Sequence, residues 1–408
     1  MGRQTFGDLF YSAKRLPAFF CKLSPVTINN MFKFDIVAQA GLSRLGVVST
    51  GRGTIKTPAF MPVGTLATVK SVAPWELEAV GSDIILANTY HLMLRPGGEL
   101  IKKAGGLHRW ARWEKPILTD SGGYQVFSLG RISGGAKKMA TVTEDGVEFY
   151  SHLDGSKHFL DAQKSIEIQE QLGADIIMAF DECPPGGAKR HYVAQAVERT
   201  HRWLKTSKKA WTNRKEQALF GIVQGGTIKD LREKSARFVE KEDLPGNAIG
   251  GVSVGESRAH VWKAVEWSVP YLNPHKPRYL MGVGEPSDIV EAAKRGCDMF
   301  DCVLPTRLGR HGVVWVTGGG EGSKRIVFPC GKTIMYKRVA LTQHRYRADK
   351  KVLDPQCSCP ACKEGFSRSY ISHLLRENEI LGLRLTTLHN LYFLENIMET
   401  LRNSIEKS

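Results

Sequence analysis

Three thiols fall within six residues at Cys357-Ser358-Cys359-Pro360-Ala361-Cys362. Thiolates packed this closely are poor core residues but good ligands for one soft cation. Tetrahedral zinc needs a fourth donor, and His373 and His389 are the candidates on the helical stretch that follows. Four protein ligands leave no open coordination position, so such a zinc is structural. The other five cysteines, Cys21, Cys183, Cys297, Cys302 and Cys330, are scattered, as expected of reduced thiols in a cytosolic protein.

A second group of reactive residues closes short apolar runs. Asp120 ends Pro116–Thr119, Asp181 ends Ile176–Phe180, Gln224 ends Leu219–Val223 and Asp301 ends Met299–Phe300. Further runs end at Asn88, Gly251 and Gly282, and Pro58–Val63 precedes them all. Continuous apolar runs of this length, separated by helix-length polar stretches, are the pattern of buried parallel strands with crossover helices. Eight of them predict an α/β fold, a (β/α)8 TIM barrel. In that fold the carboxyl ends of the strands make the active-site face. Three aspartates and a glutamine, distant in sequence, then share one mouth. Paired carboxylates can serve as nucleophile and as general acid and base. Each alone is better explained as a strand-end cap, a turn or a salt bridge. Three in one pocket titrate together, with one of them protonated near neutral pH.

The elements that must position these groups have ample chain. Of 408 residues, a barrel takes about 250, leaving room for insertions and a small extra domain. The expected division is an N-terminal extension over 1–31, a barrel over 32–304 with an antiparallel sheet inserted at about 126–160, and a basic zinc-binding subdomain with C-terminal helices over 305–408. No apolar stretch approaches the roughly 20 residues that span a bilayer. Lys and Arg number 57 against 41 Asp and Glu, a net +16. Nucleic acid is the expected polyanionic partner, because phosphate contacts require Lys and Arg. The basic residues concentrate at Lys332, Lys337, Arg338, Arg345, Arg347, Lys350 and Lys351.

Residues 1–31 read as a disordered or amphipathic leader, or as sequence ahead of a true start at Met31, without the features of a secretory signal. Residues 32–56 read as an antiparallel hairpin closing one end of the barrel. Helical patterns cover 66–82, 89–115, 161–173, 190–212, 228–241, 256–269, 286–296 and 367–404. Asp-Gly turn pairs at Asp145-Gly146 and Asp154-Gly155 mark the inserted sheet.

Six motifs in order complete the pattern. Asp120-Ser121-Gly122-Gly123-Tyr124-Gln125, Phe180-Asp181-Glu182-Cys183-Pro184-Pro185, Gly221-Ile222-Val223-Gln224-Gly225-Gly226, Gly250-Gly251-Val252-Ser253-Val254-Gly255-Glu256, Tyr279-Leu280-Met281-Gly282-Val283-Gly284 and Phe300-Asp301-Cys302-Val303-Leu304-Pro305-Thr306-Arg307 together resemble the tRNA-guanine transglycosylases. The cysteine triplet with His389 resembles that family's zinc site. The likeness runs from about Phe32 to the C-terminus.

The resemblance implies exchange of guanine at the wobble position of G-U-N tRNAs (Asp, Asn, His, Tyr) for a 7-deazaguanine, in queuosine biosynthesis. It implies that Asp301 is the nucleophile, forming a covalent ester with the ribose, and that Asp120 moves the proton on the leaving and incoming bases. Asp181, Gln224, Ser121, Gly250 and Gly251 recognise the base, while Tyr124 and Met281 sandwich it. Gly282, Val283, Gly284, Glu285, Pro286, Ser287 and Asp288, with Thr306, Arg307, Leu308, Gly309 and Arg310, correspond to RNA-contacting segments. Cys357, Cys359, Cys362 and His389 bind one Zn2+ per subunit. Family members that insert 7-aminomethyl-7-deazaguanine carry valine where those that insert queuine carry glycine. Val254 therefore favours the former. The resemblance further implies a cytoplasmic homodimer with no membrane attachment. The alternatives are a queuine-inserting enzyme or a non-catalytic tRNA-binding partner subunit; the second lacks catalytic aspartates, which this chain keeps. Three features depart from the pattern: a longer stretch around Gly318–Gly322, one extra residue between Cys362 and His389, and the N-terminal extension over 1–31.

Overall fold

A computed structural model describes residues 32–132, 140–252 and 255–408. The expectations for residues 1–31 and for Val254 lie outside the described residues.

Eight parallel strands close into a barrel: β1 (Ala59–Gly64), β2 (Ile85–Ala87), β3 (Ile117–Thr119), β4 (Ile176–Met178), β5 (Ala218–Val223), β6 (Gly246–Ile249), β7 (Arg278–Leu280) and β8 (Met299–Cys302). Each of the eight apolar runs supplies one strand. Closure comes where β8 pairs with β1, Met299 beside Ala59 and Asp301 beside Met61. Side chains alternate between the interior and the helix layer, as the two-residue period of a strand requires. Ala59, Met61 and Val63 point inward with Ala218, Phe220, Ile222, Tyr279 and Met299. Phe60, Leu219, Val223, Leu280 and Phe300 face the helices instead.

The N-terminal end of the barrel is stoppered. Strands Lys33–Ala40, Ser43–Thr50 and Gly53–Thr57 form an antiparallel sheet, one strand more than the expected hairpin. Its Val48 and Ile55 are fully buried within the barrel-interior cluster. Arg44, also buried, reaches across to Asp298 just ahead of β8, donating from Nε to Oδ1 at 2.9 Å and from Nη2 to Oδ2. Asp298 in turn accepts from the Arg278 backbone N–H at 2.7 Å.

The insertion after β3 begins as helix Gly123–Ile132, not strand, because Val126 and Phe127 follow the turn onto the barrel and bury there. Its antiparallel sheet comprises Ala140–Val142, Gly146–Tyr150 and Lys157–Asp161. The expected helix over 66–82 is confined to Pro74–Val80, and the stretch 89–115 divides into Thr89–Leu94, Gly98–Lys103 and Gly106–Ala111.

Beyond β8 the structure is more regular than the glycine and charge content suggested. Strands Val313–Thr317, Lys324–Val327 and Thr333–Ala340 form a third antiparallel sheet with 333–340 central. The expected single helical stretch over 367–404 is two helices, Arg368–Arg376 and Ile380–Glu406, broken where Asn378 takes a left-handed conformation, φ 58°. The longer helix buries Leu385, Leu388, Leu394, Ile397, Leu401 and Ile405, an apolar stripe at three- and four-residue spacing. It fastens to the barrel shell through Arg384 on Glu76 and Arg402 on the carbonyl of Pro58. Helix Leu304–Arg310 lies so close to it that a Cβ on Gly309 would stand 2.7 Å from Thr387 Cα.

Candidate functional site

The same alternation that fills the barrel sets the polar residues above it. Counting two from an inward residue leads from Leu118 to Asp120, from Ile222 to Gln224, from Ala248 to Gly250, from Tyr279 to Met281 and from Met299 to Asp301. All five lie at the C-terminal mouth. Asp181 joins them differently: β4 ends at Met178, and a bend carries the aspartate in beside Gln224.

Asp120 is buried and held by four donors. Thr89 N–H and Gly122 N–H reach Oδ1 at 2.9 and 3.2 Å; Gln125 Nε2 reaches Oδ2 at 3.0 Å, and Asn88 Nδ2 also donates to Oδ2. Its pKa is nonetheless pushed up to about 7, chiefly by burial, with Asp301 adding repulsion against the hydrogen bonds. Asp181 accepts from Ser121 Oγ at 3.1 Å and Gln224 Nε2 at 2.7 Å. Burial raises it to about 6, with the charge of Glu182 adding to this. Asp301 opens further onto the mouth. Tyr279 Oη at 2.5 Å and Gly282 N–H at 2.8 Å both donate to its Oδ1. Burial raises its pKa also. The arrangement offers one carboxyl that holds a proton near neutrality and a second whose hydrogen bonds fall on a single oxygen.

Gln224 and Gly251 are locked together. Gly251 has φ 63°, and a Cβ there would stand 2.0 Å from Gln224 Oε1. The loop is tied from behind by fully buried Arg232. Its guanidinium donates to the carbonyls of Val223 at 3.0 Å, Gly226 at 2.7 Å and Gly251 at 3.0 Å. Gln224 Oε1 has no partner among the described residues. Tyr124 is half-exposed on the helix that follows Asp120, and Met281 packs partly against the barrel interior.

Segments 282–288 and 304–310 lie next to each other beside Asp301. A cavity of about 230 Å³ there is lined by Glu256, Arg258, Trp262, Gly282, Cys302 and Leu304, among others. Gly282 and Arg307 are exposed; Ser287, Asp288, Leu308 and Arg310 are half-buried. Val283, Gly284, Glu285, Pro286, Thr306 and Gly309 are buried. Asp288 pairs with Arg258 at 3.1 Å. Lys332, Arg345, Arg347, Lys350 and Lys351 are exposed on the C-terminal portion.

Sequence reasoning did not single out Asn88, Thr89, Gln125, Tyr279 or Arg232. Asn88 and Tyr279 sat at the ends of recognised runs, and the parity that selects Asp120 also turns the Tyr279 ring inward. Arg232 gave no signal, since a basic residue on an amphipathic helix reads as surface.

The thiols of Cys357, Cys359 and Cys362 and a ring nitrogen of His389 lie within 4.8 Å of one another. His389 Nδ1 stands 3.4 and 3.5 Å from the sulfurs of Cys359 and Cys362, while Nε2 donates to the carbonyl of Trp315 at 2.7 Å. That bond fixes the tautomer that presents a lone pair at Nδ1, the usual outer-shell support of a metal-bound histidine. Zn–S bonds of about 2.3 Å in a tetrahedron fit this spacing. His373 is not in the cluster; His389 is the fourth donor. The group is suited to zinc.

A family model described as queuine tRNA-ribosyltransferase matches residues 39–408. Among curated proteins the chain is 51% identical over 365 residues to a queuine tRNA-ribosyltransferase of Halothermothrix orenii, covering 90% of this chain and 91% of that one. A protein of the same name from Herpetosiphon aurantiacus is 51% identical over 376 residues, 92% of this chain and 89% of the other. That of Pelotomaculum thermopropionicum is 50% identical over 365 residues, with 90% and 91% covered.

Proposed function

The chain belongs to the queuine tRNA-ribosyltransferase family, and on that premise we propose that it exchanges guanine at the wobble position of G-U-N tRNAs for 7-aminomethyl-7-deazaguanine, through a covalent bond between Asp301 and the ribose. The enzyme is a tRNA-guanine transglycosylase. The observation that carries the proposed course is the pair of hydrogen bonds on Asp301 Oδ1, which orients the carboxylate and leaves Oδ2 to attack.

Replacing a base while keeping the β configuration takes two displacements, as in retaining glycosidases. Asp301 Oδ2 attacks C1′ of the ribose, and the C1′–N9 bond to guanine breaks. Asp120, protonated near neutrality, gives its proton to the departing base. The incoming base loses a proton to the Asp120 carboxylate as its nitrogen attacks C1′ and the ester breaks. Asp181 accepts hydrogen bonds from the base's ring N–H and amino group. The Gly251 N–H donates to its carbonyl edge, joined by Gln224 Nε2 once that amide turns from Asp181 to the base, with Ser121 and Gly250 completing the recess. A wrong base leaves these buried groups unpaired, which rejects it strongly. Tyr124 and Met281 stack on its two faces.

The wobble nucleotide leaves the anticodon stack to enter the mouth. The flanking nucleotide lies in the groove beside Gly282, and Arg307, Arg310 and the exposed basic residues from Lys332 to Lys351 meet phosphates. Cys357, Cys359, Cys362 and His389 hold one Zn2+, which supplies folding energy and no reaction step. No helix among the described residues is long and apolar enough to cross a membrane. We place the enzyme in the cytoplasm, as a homodimer.

Incubation of the protein with substrate tRNA and labelled guanine, with and without each 7-deazaguanine, tests reaction and base together. Asp301→Ala abolishes exchange and the tRNA–protein adduct on denaturing gels while tRNA binding persists; an adduct in the variant rejects the assignment. The relatives' names carry queuine, so the base is tested separately. Members of the family that insert queuine carry glycine where this chain carries Val254, and a branched side chain there is expected to disfavour queuine's larger substituent. Val254→Gly should therefore raise queuine incorporation, by about tenfold or more if a steric penalty of a few kcal/mol is relieved; unchanged selectivity sinks that argument.

A further inference from the structure

Glu285 stands in the segment assigned to RNA, yet its carboxylate is turned into the protein, only 6% exposed. Three donors from the antiparallel sheet after β8 hold it. Lys324 Nζ and Tyr336 Oη reach Oε1 at 2.7 Å each, and Arg338 Nη2 grips Oε2. Tyr336 Oη also bonds Ser287, accepting from its backbone N–H at 3.3 Å and meeting its Oγ at 3.1 Å. The three donors outweigh burial and hold the Glu285 carboxyl below its ordinary range. It is ionised, saturated and unavailable to an RNA phosphate, which it would repel.

Its neighbours tell what the grip is for. Glu285 caps helix Pro286–Ala293, its carbonyl accepting from Asp288 and Ile289. Three residues back, the Gly282 N–H donates to Asp301 Oδ1. The turn between them is anchored at one end by β7, where Met281 N–H bonds the carbonyl of Ile249, and at the other by Glu285. On the far side, Arg338 pairs in register with Trp315, whose carbonyl accepts from His389. Covalent strand and hydrogen bond thus run unbroken from the cysteine–histidine cluster to Asp301.

We propose that Glu285 is a positioning residue for the transfer reaction: it ties the turn that orients Asp301 to the sheet carried by the cysteine–histidine cluster. The inference rests on Asp301 as nucleophile. It removes Glu285 from the RNA contacts and gives the antiparallel sheet a part in catalysis.

The test compares the full-length, metal-loaded protein with Glu285→Gln and Tyr336→Phe. Glu285→Gln lowers kcat for guanine exchange about tenfold and reduces the trapped adduct, with the Kd for tRNA held within about twofold. Tyr336→Phe keeps the ring packing, loses only the hydroxyl and lowers kcat about threefold; the double variant is no worse than Glu285→Gln alone, as expected of residues acting as one unit. Should Glu285→Gln not fold, Tyr336→Phe carries the same test. A fall in melting temperature with kcat unchanged marks a purely structural role and overturns the proposal. Weakened tRNA binding with kcat unchanged returns Glu285 to RNA recognition and overturns it equally. If the parent protein performs no exchange, the reading on which the inference rests fails, and the inference with it.

Discussion

The residue with most to say about pH is Asp120. Its carboxyl is buried among donors, yet the fold holds it protonated to about pH 7. Native protein therefore retains a proton that the unfolded chain releases near the ordinary aspartate value. The associated stability is complete at low pH and is lost as pH rises through about 7, a loss on the order of a few kcal/mol. Urea unfolding between pH 5 and 8 should show stability falling with pH, and Asp120→Asn should flatten that dependence; an equal slope in both proteins removes Asp120 as its source. The exchange rate should show a limb near pH 7 in the parent protein, because a group that first gives and later takes a proton works best near its own pKa.

Elements explain both what the sequence disclosed and what it hid. The apolar runs reported the eight barrel strands because parallel strands are buried on both faces and need no alternation. Strand parity then carries Asp120, Gln224, Gly250, Met281 and Asp301 inward from residues two positions earlier. Asp181 escapes that count because β4 stops short and the chain bends. The sheet over 313–340 was concealed for a different reason: Lys324, Arg325, Lys337 and Arg338 lie within its strands, and so dense a run of charge reads as loop. Tyr279 on Asp301 and Arg232 on three carbonyls depend on contacts between elements, which no local pattern encodes. The packing of helix Leu304–Arg310 on the long C-terminal helix is likewise a contact between elements, made possible by Gly309. Gly309→Ala forces the two apart and should cost about 1–3 kcal/mol of stability. Circular dichroism melts would register it; an unchanged melting temperature would mean the helices separate without strain.

For the whole molecule, the cysteine–histidine cluster adds a tie within the C-terminal portion to those the long helix already makes with the barrel. Cys357, Cys359 and Cys362 come from a short loop, and His389 from the helix that crosses the barrel shell, so a metal there joins segments that also share an apolar core of Val316, Leu353, Ala361, Leu374 and Leu385. Metal analysis should find one zinc per chain. A strong chelator should lower the melting temperature and expose three further thiols to a colorimetric reagent, since structural zinc contributes folding free energy outright. Full thiol protection after the metal has gone would show that packing alone suffices. The opposite pole of the barrel raises another matter. Arg44, Asp298 and the sheet above them seal it, and Val48 and Ile55 fill the space beneath. A blind-ended vessel has one doorway. Under the proposed reaction, guanine must go out past the very nucleic acid chain tethered across the threshold, and its replacement must come in the same way. The two small molecules then share a single half-blocked opening, one outbound and one inbound.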